Sequence, residues 1–370
     1  MGEKKTPLYN THVERGAKMV EFAGFKMPVV YTSIVTEHNT VRNKVGLFDV
    51  SHMGELEITG ARAAEFADYI VTNNVDRLEE GQICYTVACN ENGKVLDDLL
   101  VYKFSDERVL LVVNASNTDK IYAHLLKEKW DDVDVANRTA DVAQIAVQGP
   151  LSKELLLKIP FCSDVADGIE TLKYYRFFAF HKDGKEVIVS RTGYTGELGF
   201  EIYLPAEFAV DLWNELLAGG AELGVEPIGL GARDTLRFEA SLCLYGNELD
   251  EETSPLEAGL KWLVKLKKGD FLGRDALARE KEEGSKKTLT GFEIQGRQIA
   301  RHHFKVKYEG RVVGEVTSGT FAPYLKKSLA MAYVESGLPA DANGYAIEIR
   351  GKDIEAKRIA LPFYKSRAAD

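Results

Sequence analysis

What the chain lacks narrows it first. Only four cysteines occur in 370 residues: Cys84, Cys89, Cys162 and Cys243. None forms a CxxC and no histidine pair completes a zinc-type spacing, so no metal site is expected and a reduced compartment fits. His302 and His303 are adjacent; on a strand they would point to opposite faces, and they read as surface or turn histidines. No apolar run approaches the roughly 20 residues that span a bilayer. The opening MGEKKTPLYN has neither the apolar stretch of a secretory leader nor the arginines of a presequence. Its fit to a loose N-myristoylation pattern is taken as chance. Positive charge is in deficit, 47 Lys and Arg against 57 Asp and Glu, and the net charge of −10 argues against nucleic acid or a membrane surface as partner. An anionic ligand must therefore meet a local cluster of Arg or Lys. Walker loop, GxSxG elbow and HExxH are all missing. Ser51-His52 beside Asp49 imitates a triad in letters only, because triads assemble across a fold.

What remains is ordinary globular composition, 45% hydrophobic and 28% charged, in a chain long enough for two or three domains. GELEITG (54–60) alternates like a strand and ARAAEFADYIV (61–71) has helical spacing. Two strands flank Asn92-Gly93, a hairpin signal. ERVLLVVN (107–114) is a further strand and ASNTDKIYAHLLKEKW a helix, giving β-α-β-β-β-α. The same order recurs from AQIAVQG (143–149) through PLSKELLLKI and three strands (176–181, 185–191, 199–205) to the helix AEFAVDLWNELLAGG. The junctions ITG-ARAAEF and VQG-PLSKEL look equivalent, so two related α+β units are inferred. After about residue 285 only short strands and turns remain, which suggests a small all-β barrel or sandwich. EKEEGSKK (280–287) reads as a charged linker or as the end of a helix. The expected fold class is α+β: two ferredoxin-like units and a C-terminal β-barrel. The expected domains are 1–50 with 140–280, an inserted unit 51–139, and 285–370.

Three stretches carry candidate chemistry. In NENGKVLDDLLVY (90–102) two acids sit inside a strand, where Asp is disfavoured. Alternation groups Leu96, Asp98, Leu100 and Tyr102 on one face and Val95, Asp97, Leu99 and Val101 on the other, so one acid can face solvent while the other faces a pocket. SRTGYTGELGFEIYL (190–204) has glycines at 193, 196 and 199 with Tyr194 in the loop and Glu201 on the following strand. Its spacing is wrong for a dinucleotide loop. It reads either as a glycine-rich hairpin connection or as a loop that lets a flat ring approach, with Glu201 accepting two parallel N–H bonds from a guanidine-like edge such as a pterin's. In PIGLGARDTLRFEASLCLYGNEL (227–249) Arg233 falls in the first turn of a helix, against the dipole. It is either half of a surface ion pair or a clamp for an anionic tail.

TPLYNTHVERGAKMVEFAGFKMPVVY, VGLFDVSHMGE, CNENGKVLDDLLVY, SRTGYTGELGFE, GLGARDTLRFEA and LYGNELDEETSPLEAGL, in order from about residue 6 to the final PFYKSR, resemble the aminomethyltransferase, or T-protein, of the glycine cleavage system. The resemblance implies a three-domain cloverleaf around a central funnel for tetrahydrofolate, the co-substrate. It implies as partner the lipoylated H-protein, whose dihydrolipoyl arm carries the aminomethyl group. Products are ammonia and 5,10-methylenetetrahydrofolate. The family's key aspartate falls on Asp98, its pterin-binding glutamate on Glu201 and its arginine on Arg233. Met53, Tyr85, Tyr102, Asn114 and Tyr194 fall on pocket-lining positions, and Trp262 on the funnel wall. The expected compartment is a bacterial cytoplasm, or the mitochondrial matrix in a eukaryote after presequence removal. KWLVKLKKGD (261–270) offers Lys261, Lys265, Lys267 and Lys268 either as a basic docking surface or as a solvated face. A folate-dependent demethylating relative would be fused to an oxidase, and no flavin-binding segment is present. The non-enzymatic alternative, a folate-binding protein of iron–sulfur assembly, carries K-G-C-Y-x-G-Q-E, and none of the four cysteines sits in such a sequence.

Overall fold

The computed structural model describes residues 3–340 and 343–369; Gly2, on which the acylation pattern turns, lies outside them. The inserted stretch forms a five-stranded antiparallel sheet in the order Gln82–Cys89, Val95–Ser105, Arg108–Val113, Gly54–Gly60, Val133–Asn137. The next stretch repeats that order: Phe177–Lys182, Lys185–Ser190, Gly199–Pro205, Val142–Gln148, then Gly46–Asp49 and Glu226–Pro227. In both sheets a three-strand meander lies beside the first strand of its unit. The inferred equivalence of the two strand-to-helix junctions extends to single residues. Gly60 and Gly149 have φ of 119° and 126°, and a Cβ on either would stand 2.3 Å from a backbone carbonyl, that of Asp132 or of Lys44. Only glycine fits there.

Alternation gives each sheet a helix-covered face. Leu56, Ile58 and Leu111 pack with Phe66 and Ile70 of the helix Ala63–Ile70 and with Ile121 and Leu125 of Thr118–Glu128. Val147, Phe200 and Ile202 pack with Leu155, Leu156, Trp213 and Leu216 from the helices Ser152–Lys158 and Ala209–Gly219. The opposite faces meet each other: Ile83, Tyr102, Leu110 and Val112 of one sheet bury against Phe177, Ile188 and Tyr203 of the other. The seam between the sheets is therefore apolar at its centre.

The C-terminal strands close into a six-stranded barrel, which decides between barrel and sandwich: Lys287–Ile294, Lys327–Glu335, Arg311–Ala322, Lys305–Tyr308, Tyr345–Ile349, Lys352–Ile359. Phe292, Val316, Ala332 and Ile347 fill it. Arg237, on the helix Leu230–Glu239, ties it to the rest, reaching Glu248 at 2.8 Å and Ser318 at 3.0 Å, while Thr317 donates to Glu248 at 2.6 Å. The chain end returns to the α+β part, where the Tyr364 hydroxyl donates to Glu197 at 2.7 Å and the Arg367 N–H to the Gly196 carbonyl at 2.8 Å.

Several expectations change. EKEEGSKK is the end of a helix, Arg274–Glu283, closed at Gly284 with φ 85°. Lys268 is not part of a basic surface. Its ammonium is buried, paired with Asp68 at 2.9 Å and donating to the carbonyls of Val71 and Asn73. His302 and His303 lie outside the strands and stack with ring centroids 3.8 Å apart instead of facing opposite ways. A register slip between Ala88 and Cys89 leaves Leu96 as an extra residue in its strand. Leu96 therefore turns into the helix-side core with Leu99 and Val101, away from the face of Asp98.

Candidate functional site

A cavity of ≈ 350 Å³ opens where the seam between the two sheets meets the helix Leu230–Glu239 and the loop that follows it. Asp98, Leu100, Val112 and Asn114 come from the five-stranded sheet and its edge. Gln144 and Glu201 come from strands of the six-stranded one, and Tyr175, Thr192 and Tyr194 from the segments that flank its strands. His52, Met53 and Phe22 close one side and Arg233, Leu244, Tyr245 and Asn247 another. Seven of the nine sequence-predicted residues line this space: Met53, Tyr85, Asp98, Asn114, Tyr194, Glu201 and Arg233.

Tyr102 and Trp262 do not. Tyr102 shares the face of Asp98, but four residues along the strand the second sheet covers it. It is fully buried, and its hydroxyl lies 2.8 Å from that of Tyr203 and 3.1 Å from Ser190 Oγ. Trp262 is 56% exposed and leans on the outer side of Tyr85, ring centroids 6.1 Å apart.

Neither acid of the pair faces bulk solvent. Asp97 is fully buried and accepts from the Asn114 backbone N–H at 3.0 Å, Asn114 Nδ2 at 2.8 Å and Asn117 Nδ2 at 2.6 Å. Asp98 borders the cavity and accepts from the Tyr85 hydroxyl at 2.8 Å and from the same Asn114 Nδ2 at 2.8 Å. One amide thus bridges two adjacent carboxyls. Burial pushes both up, Asp97 to about 8, with the charge of Asp98 adding to it, and Asp98 to about 6 against the pull of Tyr85 and Asn114. Both carboxyls are thus displaced upward toward neutral pH, and the charge on one bears on the protonation of the other.

Across the cavity, Glu201 is held from both sides. Gln144 Nε2 donates to Oε1 at 3.1 Å and Thr192 Oγ1 to Oε2 at 2.5 Å. Burial raises its carboxyl, and Thr192, Arg233 and Gln144 oppose that. The Arg233 guanidinium lies over the Tyr194 ring, 4.8 Å from its centroid, and among the described residues no carboxylate is within ion-pair distance of it. Its neighbour Asp234 pairs with Arg237 instead, at 2.8 Å. That removes the surface-pair reading and leaves a cation facing a cavity, the arrangement that receives an anion. The Tyr194 hydroxyl donates to the Cys243 carbonyl, fixing the ring beneath the guanidinium.

The sequence reading missed residues of the same wall. His52 is buried; desolvation and then Arg233 push it down to about 4, so it is a neutral imidazole beside the cation. Gln144 carried a usable signal, a polar side chain in the middle of a strand as with Asp98. Tyr175 adopts φ 58°, rare for a side chain of its size, and nothing in its sequence announced it. Among the described residues no group of three potential ligands could hold a metal ion.

A carboxyl at one wall backed by a buried second, a hydrogen-bonded carboxyl and an arginine elsewhere in the lining, and aromatic rings among them suit a flat, polar heterocycle with an anionic extension. Comparison with known proteins points the same way. Residues 8–268 match the GCVT N-terminal domain and 287–365 the glycine cleavage T-protein C-terminal barrel domain. Relatives named aminomethyltransferase include that of Halothermothrix orenii, 46% identical over 97% of this chain and 99% of that protein. The one from Pseudothermotoga lettingae is 48% identical over 98% of each. The crystal structure of the glycine cleavage system aminomethyltransferase T from Bartonella henselae superposes with a TM-score of 0.90 at 34% identity, covering both chains completely. These names favour the aminomethyltransferase reading over the iron–sulfur assembly alternative. The chain belongs to the glycine cleavage T-protein family of aminomethyltransferases.

Proposed function

We propose that this protein transfers the methylene of an aminomethyl group from the dihydrolipoyl arm of the H-protein to tetrahydrofolate, giving 5,10-methylenetetrahydrofolate, ammonia and the reduced arm. The observation that carries the assignment is Asp98, a carboxyl at the cavity wall with Tyr85 and Asn114 donating to it and Glu201 and Arg233 in the opposite wall. Glu201 takes the paired N–H edge of the pterin, and Tyr85 and Tyr194 flank the ring. Arg233 takes the negative charge of the folate tail.

The methylene carbon carries both nitrogen and sulfur, and it becomes iminium-like as either leaves. Asp98 stabilises that developing cation and orients the attacking amine. The folate loses a proton from each of two nitrogens, and these end on the thiolate and the amine, so the wall must move protons as well as hold charge. A carboxyl raised to about 6 is poised for this. Met53, Leu100 and Val112 keep the cavity dry, which matters because water would intercept the iminium and release formaldehyde.

The relatives are bacterial, and we place this protein in the cytoplasm. The three cores also support, as unit boundaries, 1–50 with 140–280, 51–139 and 285–370.

The test is ammonia release from aminomethylated H-protein with and without tetrahydrofolate, on the wild type and Asp98→Asn. Folate-dependent release in the wild type, lost in the variant with folate binding kept, is expected. Equal rates in both proteins would remove Asp98 from the mechanism, and release indifferent to folate would remove the assignment.

A further inference from the structure

A second cleft, of ≈ 610 Å³, opens on the seam between the sheets, separated from the first cavity by Tyr203 and Gln144. Leu110, Val142, Ile188 and Tyr203 line it with apolar surface. Glu55 and Glu57 enter from the strand Gly54–Gly60, on the face opposite Leu56 and Ile58.

The acids of this cleft are matched by cations with one exception. Arg108 holds Glu57 at 2.7 Å and Glu186 at 2.8 and 2.6 Å. Arg138 lies 3.3 Å from Asp141, and Lys185 pairs with Glu207. Glu55 is 1% exposed, and no other residue donates to its carboxyl oxygens; only its own backbone N–H eases their burial. An unpaired buried carboxylate is among the costliest groups a fold can carry. Burial accordingly pushes the Glu55 carboxyl well above its ordinary range. A bound cation would take the place of that proton.

We infer that this cleft is a binding site for a primary ammonium group, with Glu55 as its anchor. A divalent metal does not suit it, since no cluster of three ligating side chains exists among the described residues. A guanidinium would have to compete with Arg108, already spread over two carboxylates. An –NH3⁺ group brings three donors to two free oxygens, and the Tyr203 ring and the aliphatic walls accommodate a short alkyl stem. The ligand is free ammonium or a short alkylamine. The inference stands on the cleft alone and does not depend on the proposed reaction, although ammonia is a product of that reaction.

The test is the melting temperature in ammonium chloride, propylammonium chloride and choline chloride at equal ionic strength, and in 1-propanol, for the wild type and Glu55→Gln. A saturable rise with the ammonium-bearing salts, absent with choline and propanol and lost in Glu55→Gln, is expected. The larger rise of the two salts identifies the free ion or the alkylamine. A rise that survives Glu55→Gln, or one that choline matches, overturns the inference. Wild-type crystals soaked in a thallous salt give a check that needs no variant. Anomalous density beside Glu55 is expected, and its absence there overturns the site.

Discussion

Replacing Asn114 with alanine tests whether its amide sets the charge state of the reacting carboxyl. The substitution removes the Nδ2 bonds to Asp97 Oδ1 and to Asp98 Oδ1, both 2.8 Å. Asp97 keeps the backbone N–H of residue 114 and Asn117; Asp98 keeps Tyr85 and its own backbone N–H. A hydrogen bond to a charged group contributes about 1.5–3 kcal/mol. At about 1.4 kcal/mol per pH unit, Asp98 should rise by about one to two units. The sign follows from which form loses its donor: the carboxylate does, so the protonated acid gains. If the Asp98 carboxyl, which burial raises to about 6, governs the acid limb of activity, that limb should move to about 7–8. At pH 7 the ionised fraction then falls from about 90% to between about 50% and about 10%. The assay is ammonia release from pH 5.5 to 9 at saturating folate and H-protein, with melting temperature as a control for folding. Activity should drop at pH 7 and largely recover at pH 9. A limb that stays put, or moves toward acid, refutes the role given to Asn114.

Three further outcomes are expected. Asp97 binds its proton more tightly in the fold than in the unfolded chain, so the fold carries more protons between about pH 4 and 8 and loses stability as pH rises through that window; urea titrations of Asp97→Asn across the window should show a flatter decline than the wild type. Arg42→Met strips a fully buried cation from Glu197 at 2.8 Å and Glu239 at 3.1 Å and should cost about 3–5 kcal/mol in denaturant unfolding. Gly193→Ala would place a Cβ 2.0 Å from Gln148 Oε1, whose amide holds the carbonyls of Thr192 and Phe200. Folate affinity, followed by fluorescence quenching, should fall together with a stability loss of about 1–3 kcal/mol.

How much of this was legible differs residue by residue. Asp98 could be picked out because an acid inside a strand needs a reason. The repeat could be read because strand and helix periods alternate cleanly in both halves, and the shared strand order bears it out. Tyr102 was misplaced because alternation tells which face a side chain occupies and not what covers that face. The second sheet does so, and no local pattern encodes it. Leu96 changed face through a bulge whose cause is the pairing of two strands across a turn. Lys268 looked like surface charge because its partners, Asp68 and the carbonyls of Val71 and Asn73, lie some 200 residues away in sequence. The pairing of Asp234 with Arg237, which leaves Arg233 free for the cavity, needed three dimensions.

The two glycines with matching φ mark one structural motif used twice in the chain, and the two copies divide the labour. One contributes the acid pair on its middle meander strand; the other contributes Glu201 on the last strand of its meander. Neither copy contains a whole site. Loosening the packing between the halves should therefore silence the protein while both remain individually folded, making function a finer gauge of their alignment than any melting curve.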